Sequence, residues 1–211
     1  MLISVEKSIL KSFFIFLLVS ILFNSFGKEI KIDEVTSAEL KRFETACKNG
    51  NADGCNTAAS ILFSFEMYKD AFYLFKKGCD DLNNAISCYN VGDFFFNGYG
   101  DVSKNESKAI KYWKKACKLS IKSNEKYCGG CYSLGNLYLN KNAPKKALYY
   151  FSMDCSKDCC EACFEIEDMY KRRLISEKDF SNIRNKNKTT IETCNFMKKI
   201  SDNRSNIEEE D

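Results

Sequence analysis

Apolar and small residues recur along this chain at helical spacing in short blocks. Each block ends or begins at a cysteine. Between Tyr89 and Phe96 they fall at Tyr89, Val91, Gly92, Phe95 and Phe96, close to one face of an α-helix. Asn97 to Glu106 holds Gly98, Gly100, Asp101, Ser103 and Asn105, the chemistry of breakers and caps. Ser107 to Cys117 then carries Ala109, Ile110, Trp113, Ala116 and Cys117 on a second stripe. The unit is helix, tight loop, helix, with Cys88 and Cys117 at its outer ends.

That unit repeats. CYNVGDFF at 88–95 aligns with CYSLGNLY at 131–138, and more loosely with CNTAASIL at 55–62 and CFEIEDMY at 163–170. A second set ends in cysteine: LKRFETAC at 40–47, AFYLFKKGC at 71–79, AIKYWKKAC at 109–117 and ALYYFSMDC at 147–155. Cys55, Cys88, Cys131 and Cys163 are spaced 33, 43 and 32 residues apart, and Cys47, Cys79, Cys117 and Cys155 are spaced 32, 38 and 38 apart. Two helices and two turns fill such a period, so the prediction is an all-α, right-handed αα-repeat solenoid of four disulfide-stapled helix pairs. The pairs are Ser37–Lys48 with a helix starting near Asp53, Met67–Asp80 with Asn84–Phe96, Ser107–Lys118 with Tyr127–Leu139, and Lys145–Asp154 with Asp158–Arg172. Leu119–Lys126 reads as an insertion, and Pro144 suits a first helical turn. Ser176–Asn185 and Thr189–Ile200 read as a C-terminal capping pair, and Ser201–Asp211, ending EEED, as a disordered acidic tail.

The motif LGxxYxxGxG, a short loop, then KAxxWxxKAC resembles the Sel1-like repeats, relatives of the tetratricopeptide family. Gly92, Gly98, Gly100, Lys104, Lys108, Ala109, Trp113, Lys115 and Ala116 carry it, and the resemblance extends over roughly residues 36–172. Ala59 and Glu167 stand where the helix glycine would be in the first and fourth repeats. A cysteine in each helix further resembles the Helicobacter-type cysteine-rich secreted proteins, often called β-lactamases. That resemblance implies a penicillin-binding protein with weak β-lactam hydrolysis.

Composition narrows the chemistry. Of 211 residues 45% are hydrophobic and the net charge is +3, with no basic block, which argues against nucleic acid. There is no histidine. Ser-His-Asp and Cys-His catalysis and histidine zinc hydrolases are therefore excluded. Twelve cysteines point to an oxidising compartment. The N-terminus agrees: Lys7 and Lys11 precede an apolar run, and Ser25-Phe26-Gly27 has the small-x-small form of a cleavage site. Residues 1–27 read as a cleavable signal peptide, with an uncleaved anchor as the alternative, and residues 28–200 as the repeat array. A secreted or periplasmic protein follows, touching membrane only through an uncleaved signal.

Cys47 and Cys55 are eight residues apart, which an unbroken helix would spread over roughly 12 Å. A disulfide needs Cα atoms within about 7 Å. KNGNADG between them is turn chemistry, so the chain reverses and the bond forms. The same argument gives Cys79–Cys88, Cys117–Cys131 and Cys155–Cys163. Of the remainder, Cys128 and Cys160 each lie three residues before a repeat's second cysteine, giving Cys128–Cys160 and, by difference, Cys159–Cys194. Two other readings stand beside these: a CxxC dithiol at Cys128 and Cys131, and a four-thiolate zinc site at Cys128, Cys131, Cys160 and Cys163. The first lacks a βαβ context and the second has too long a central gap, so no metal or cofactor is expected.

A serine β-lactamase needs SxxK, SDN and KTG in that order. Ser123–Lys126 and Ser201–Asn203 match the first two forms, but Lys188-Thr189-Thr190 lacks the glycine and precedes SDN. No catalytic constellation is visible, and the catalytic residues of any such activity are unknown. The alternative is a binding scaffold. Most aromatics (Tyr73, Phe75, Tyr89, Phe94, Tyr112, Trp113, Tyr132, Tyr138, Tyr149) read as core, with a few tyrosines lining a concave groove for a peptide, a cell-wall fragment or a host protein. Lys76, Lys77, Lys114, Lys115, Lys145 and Lys146 read as solvated faces.

Overall fold

A computed structural model describes residues 33–123, 127–157, 159–195 and 198. The signal segment, Lys126, residues 201–203 and the acidic tail lie outside the described residues. The chain divides into residues 1–37 and 38–211. In the first unit, Asp33 caps a helix start: its carboxylate accepts the Thr36 N–H at 2.9 Å and the Thr36 hydroxyl at 2.7 Å.

The described residues are all helix and loop. Nine complete helices run in order: α1 (Glu34–Lys48), α2 (Ala52–Ser64), α3 (Tyr68–Asp80), α4 (Ala85–Asn97), α5 (Glu106–Lys122), α6 (Gly130–Asn140), α7 (Pro144–Cys155), α8 (Cys160–Lys171) and α9 (Glu177–Lys186). Residues 188–195 are helical again. No described helix is long and apolar enough to cross a membrane. The starts are set by side-chain caps: Asn51, Asn84, Asn105 and Ser176 accept the N–H three residues on, and Pro144 opens α7. Gly98 ends α4 at φ 72°, a left-handed conformation where glycine carries no Cβ penalty.

Packing runs between neighbours in sequence. The broadest interfaces are α4 on α5, α2 on α3, and α6 on α7. These are the joints without a disulfide. At each, an aromatic four residues before a cysteine fills the space left by a small residue four after the preceding cysteine. A Cβ on Gly92 would lie 2.6 Å from Trp113 Nε1, and one on Gly135 2.5 Å from Phe151 Cε1. Phe75 and Ala59 share a core cluster in the same way. Glu167 has no such partner, because α9 buries none of its side chains. There the Tyr170–Phe180 stack, with ring centroids 4.3 Å apart, makes the contact instead.

The other joints carry the sulfur bridges. Cys47–Cys55, Cys79–Cys88, Cys117–Cys131 and Cys155–Cys163 have Cα separations of 4.4, 4.5, 4.7 and 4.9 Å. Such close approach requires small neighbours. The residues just before each pair are Ala46 and Gly54, Gly78 and Ser87, Ala116 and Gly130, and Asp154 and Ala162. A Cβ on Gly130 would meet the Cys117 nitrogen and the Trp113 carbonyl, both at 2.6 Å.

Two expectations are corrected. Leu119–Lys126 is not wholly an insertion, because α5 continues to Lys122: Leu119 packs on the core, and buried Ser120 donates to the Tyr127 carbonyl at 2.6 Å. The remaining cysteines pair as Cys128–Cys159 and Cys160–Cys194, not Cys128–Cys160 and Cys159–Cys194. Cys128 and Cys159 both sit in extended linkers ahead of a helix, whereas Cys160 is already the first residue of α8. Linker meets linker. The last four bridges enclose overlapping loops from Cys117 to Cys194, while the first two stand apart.

Candidate functional site

The bridges occupy every sulfur singled out as reactive. Cys128 and Cys131 belong to different disulfides, as do Cys160 and Cys163, and no described cysteine is free. Among the described residues no group of side chains could hold a metal ion. Of the serine-motif residues, Ser123 and Lys188 to Thr190 are described. Ser123 caps the end of α5, with its hydroxyl on the Ser120 carbonyl at 3.2 Å. Lys188 lies in the 188–195 helix, 3.9 Å from Glu192.

The odd-numbered helices α1, α3, α5 and α7 instead form a series of clefts at one register. Between α1 and α3 lies a cleft of about 220 Å³ lined by Glu44, Cys47, Lys48, Leu62, Asp70, Tyr73, Leu74 and Lys77. Between α5 and α7 lies one of about 290 Å³ lined by Lys114, Cys117, Lys118, Ile121, Lys122, Tyr149, Tyr150 and Met153. Counted from each helix's cysteine, Cys47 and Lys48 match Cys117 and Lys118, and Tyr73 and Leu74 match Tyr149 and Tyr150. Tyr73 is 68% exposed and Tyr149 56%. The other named aromatics are buried or half-buried.

The intervening α3/α5 joint is bridged by polar contacts. Asp80 stands where the flanking repeats have Lys48 and Lys118. It is paired with Lys76, lies 3.7 Å from Lys115 Nζ, and accepts from Tyr112 OH at 3.3 Å. Lys115 also donates to the Cys79 carbonyl at 2.7 Å. Burial works to raise the Asp80 carboxyl, but the hydrogen bond and charge of Lys76, helped by Lys115 and Tyr112, hold it below its ordinary value. Lys76 and Lys115 are thus ion-paired rather than merely solvated.

The other face of the array hides polar chemistry that the sequence reading missed. Trp113 Nε1 donates to Asp93 Oδ1 at 2.9 Å. Burial raises the Asp93 carboxyl against the hydrogen bonds of Tyr89 and Trp113. Burial, then the Asp93 charge, pushes the Tyr89 hydroxyl up to about 12. Beside Tyr89 lies the ring of Tyr127, whose buried hydroxyl has no partner among the described residues and is raised by desolvation. Asp154 is 1% exposed, its Oδ2 has no partner, and burial pushes it up to about 7 against a backbone hydrogen bond from Tyr132. The available signal was positional, since Ala46, Gly78 and Ala116 occupy the same place in the other repeats.

The Sel1 repeat family model matches residues 85–120 and 126–153, which are α4 with α5 and α6 with α7. Cys117–Cys131 therefore ties one matched repeat to the next. Over a longer span the chain is similar to cytochrome c oxidase assembly factor 7 of Xenopus tropicalis, 26% identical over 130 residues, covering 58% of this chain and 55% of the relative. It is also similar to that of Homo sapiens, 22% identical over 151 residues, covering 65% and 64%. The chain thus spans between about half and two thirds of the length of these relatives. They are named for oxidase assembly and not for β-lactam hydrolysis, so the Helicobacter-type resemblance expected from the cysteines is not what these relatives carry.

Proposed function

We propose that this chain is a non-enzymatic, disulfide-clamped scaffold that binds a protein or peptide on the face made by α1, α3, α5 and α7. One observation carries the reading: Tyr73 and Tyr149 occupy the same register two helix pairs apart, each exposed over an open cleft. A tyrosine held on a rigid helix offers ring and hydroxyl at low entropic cost, and such residues are favoured at interfaces. The clefts, at about 220 and 290 Å³, fall at or below the lower end of ordinary ligand pockets, about 300–1,000 Å³, and suit single side chains of a longer segment. Twelve bonded cysteines and the signal-like residues 1–27 support export to an oxidising compartment, secreted or periplasmic. The names of the relatives support a place in assembling a larger protein complex.

The test is a photo-crosslinking residue at position 73 or 149 of the oxidised chain in its own cells, with exposed Lys171 as the control site. Partner crosslinks at 73 and 149 but not at 171 are expected. Crosslinks absent from both clefts overturn the reading. So does nitrocefin turnover by native protein that disappears on denaturation.

A further inference from the structure

The geometry points to the α5/α7 cleft as the seat of an acidic peptide segment that drops an apolar side chain onto the cleft floor. This rests on the protein-binding reading above and names the chemistry that one of its clefts selects.

Lys111, Lys114, Lys118 and Lys122 follow one another on α5 at helical spacing, on a strip about 80° wide and about 16 Å long. None has an ion-pair or hydrogen-bond partner among the described residues. Of the described acids on α5 and α7, Glu106 is taken by Lys141 and Asp154 is buried. Four like charges along one helix repel, and no described acid on α5 or α7 offsets them. Beside the strip the floor turns apolar: Tyr149 is largely exposed, and the Met153 sulfur lies 3.9 Å from that of Cys117, a soft surface that accepts aromatic or aliphatic groups.

The neighbouring joints show that this imbalance is local. At the same register the α1/α3 cleft sets Glu44 and Asp70 against Lys48 and Lys77. At α3/α5, Asp80 takes up Lys76 and Lys115. Of these three joints, α5/α7 is the one that sets an open cleft beside lysines that no described acid on its two helices answers. A strip of that length spans about five residues of extended peptide. A recessed apolar floor suits a side chain better than a row of phosphates, which favours a peptide over nucleic acid or a lipid surface.

The probe is a short fluorescein-labelled peptide alternating glutamate with leucine and phenylalanine, its binding to the full oxidised chain followed by anisotropy. Binding is expected that weakens with salt. It falls at least about tenfold in Lys114→Glu/Lys118→Glu and in a second variant, Lys111→Glu/Lys122→Glu. It falls several-fold in Tyr149→Ala and holds in Lys171→Glu. Unchanged binding in both charge-reversed variants overturns the proposal. Equal binding of an all-glutamate peptide, with Tyr149→Ala silent, does so too, as does tighter binding of an oligonucleotide or an anionic vesicle. If the peptide ignores the cleft while partner crosslinks persist at 73 and 149, this chemistry fails and the scaffold reading stands.

Discussion

Asp154→Ala gives the sharpest test of the buried polar face. The carboxyl lies between two clamped joints, where the other repeats carry alanine or glycine, and one of its oxygens has no partner. Burial raises it to about 7, with only a backbone hydrogen bond from Tyr132 opposing. In the unfolded chain an aspartate titrates near 3.9. Between those values the folded protein holds a proton that the unfolded chain has released. The stability this group contributes is therefore complete below about pH 4 and is lost as pH rises through about 7. At about 1.4 kcal/mol per pH unit the gap amounts to roughly 4 kcal/mol, a large part of an ordinary folding free energy of about 5–15 kcal/mol. Guanidinium unfolding of oxidised protein, followed by circular dichroism at about pH 5 and about pH 8, reads it directly. Wild type should lose about 2.5 kcal/mol between the two, the part of the gap that lies above pH 5. Asp154→Ala should lose much less, keeping only the smaller slope of the same sign from buried Asp93. At about pH 5 the variant should be less stable by about 1 kcal/mol, the value of a lost hydrogen bond, and at about pH 8 it should be the more stable protein. Equal slopes in the two proteins would refute the argument, since the pH dependence would then arise elsewhere.

Gly92→Ala should destabilise by about 1–2 kcal/mol despite its better helix propensity, because the added methyl displaces Trp113 from Asp93; thermal unfolding with tryptophan fluorescence reports both effects. Cys47→Ala/Cys55→Ala should cost about 2–3 kcal/mol and raise amide exchange in α1 and α2 while leaving α6 to α8 protected, which hydrogen exchange resolves by segment. Non-reducing peptide mapping should recover Cys128 with Cys159 and Cys160 with Cys194; a Cys128–Cys160 peptide would contradict the fold at α8.

What could be read from the residues was whatever repeats. The period of the cysteines, the Asn caps and the glycine facing Trp113 are local or periodic signals, and they place the helices to within a few residues. The order of Cys159 and Cys160 is different in kind. Adjacent positions at a helix start point in different directions, so the choice depends on where α8 begins, and counting back from Cys163 is off by one residue relative to Cys128 and Cys131. The clefts were half visible. Tyr73 and Tyr149 share a register in the sequence, but that Asp80 bridges the joint between them depends on Lys115 reaching across from α5. Asp154 carried a positional signal, which gains its meaning only once the closeness of the clamped joints is known.

The overlap of the last four sulfur loops has a consequence for proteolysis. A protease that cuts once anywhere from Cys117 to Cys194 severs backbone inside at least one closed ring, so the two pieces stay tethered and only a reductant frees them. A single nick between Cys88 and Cys117 meets no such ring, so no covalent bond then joins the front of the protein to its back. Of the α5/α7 cleft, Lys118, Lys122, Tyr149 and Met153 lie within the ringed stretch, whereas Lys111 and Lys114 precede it.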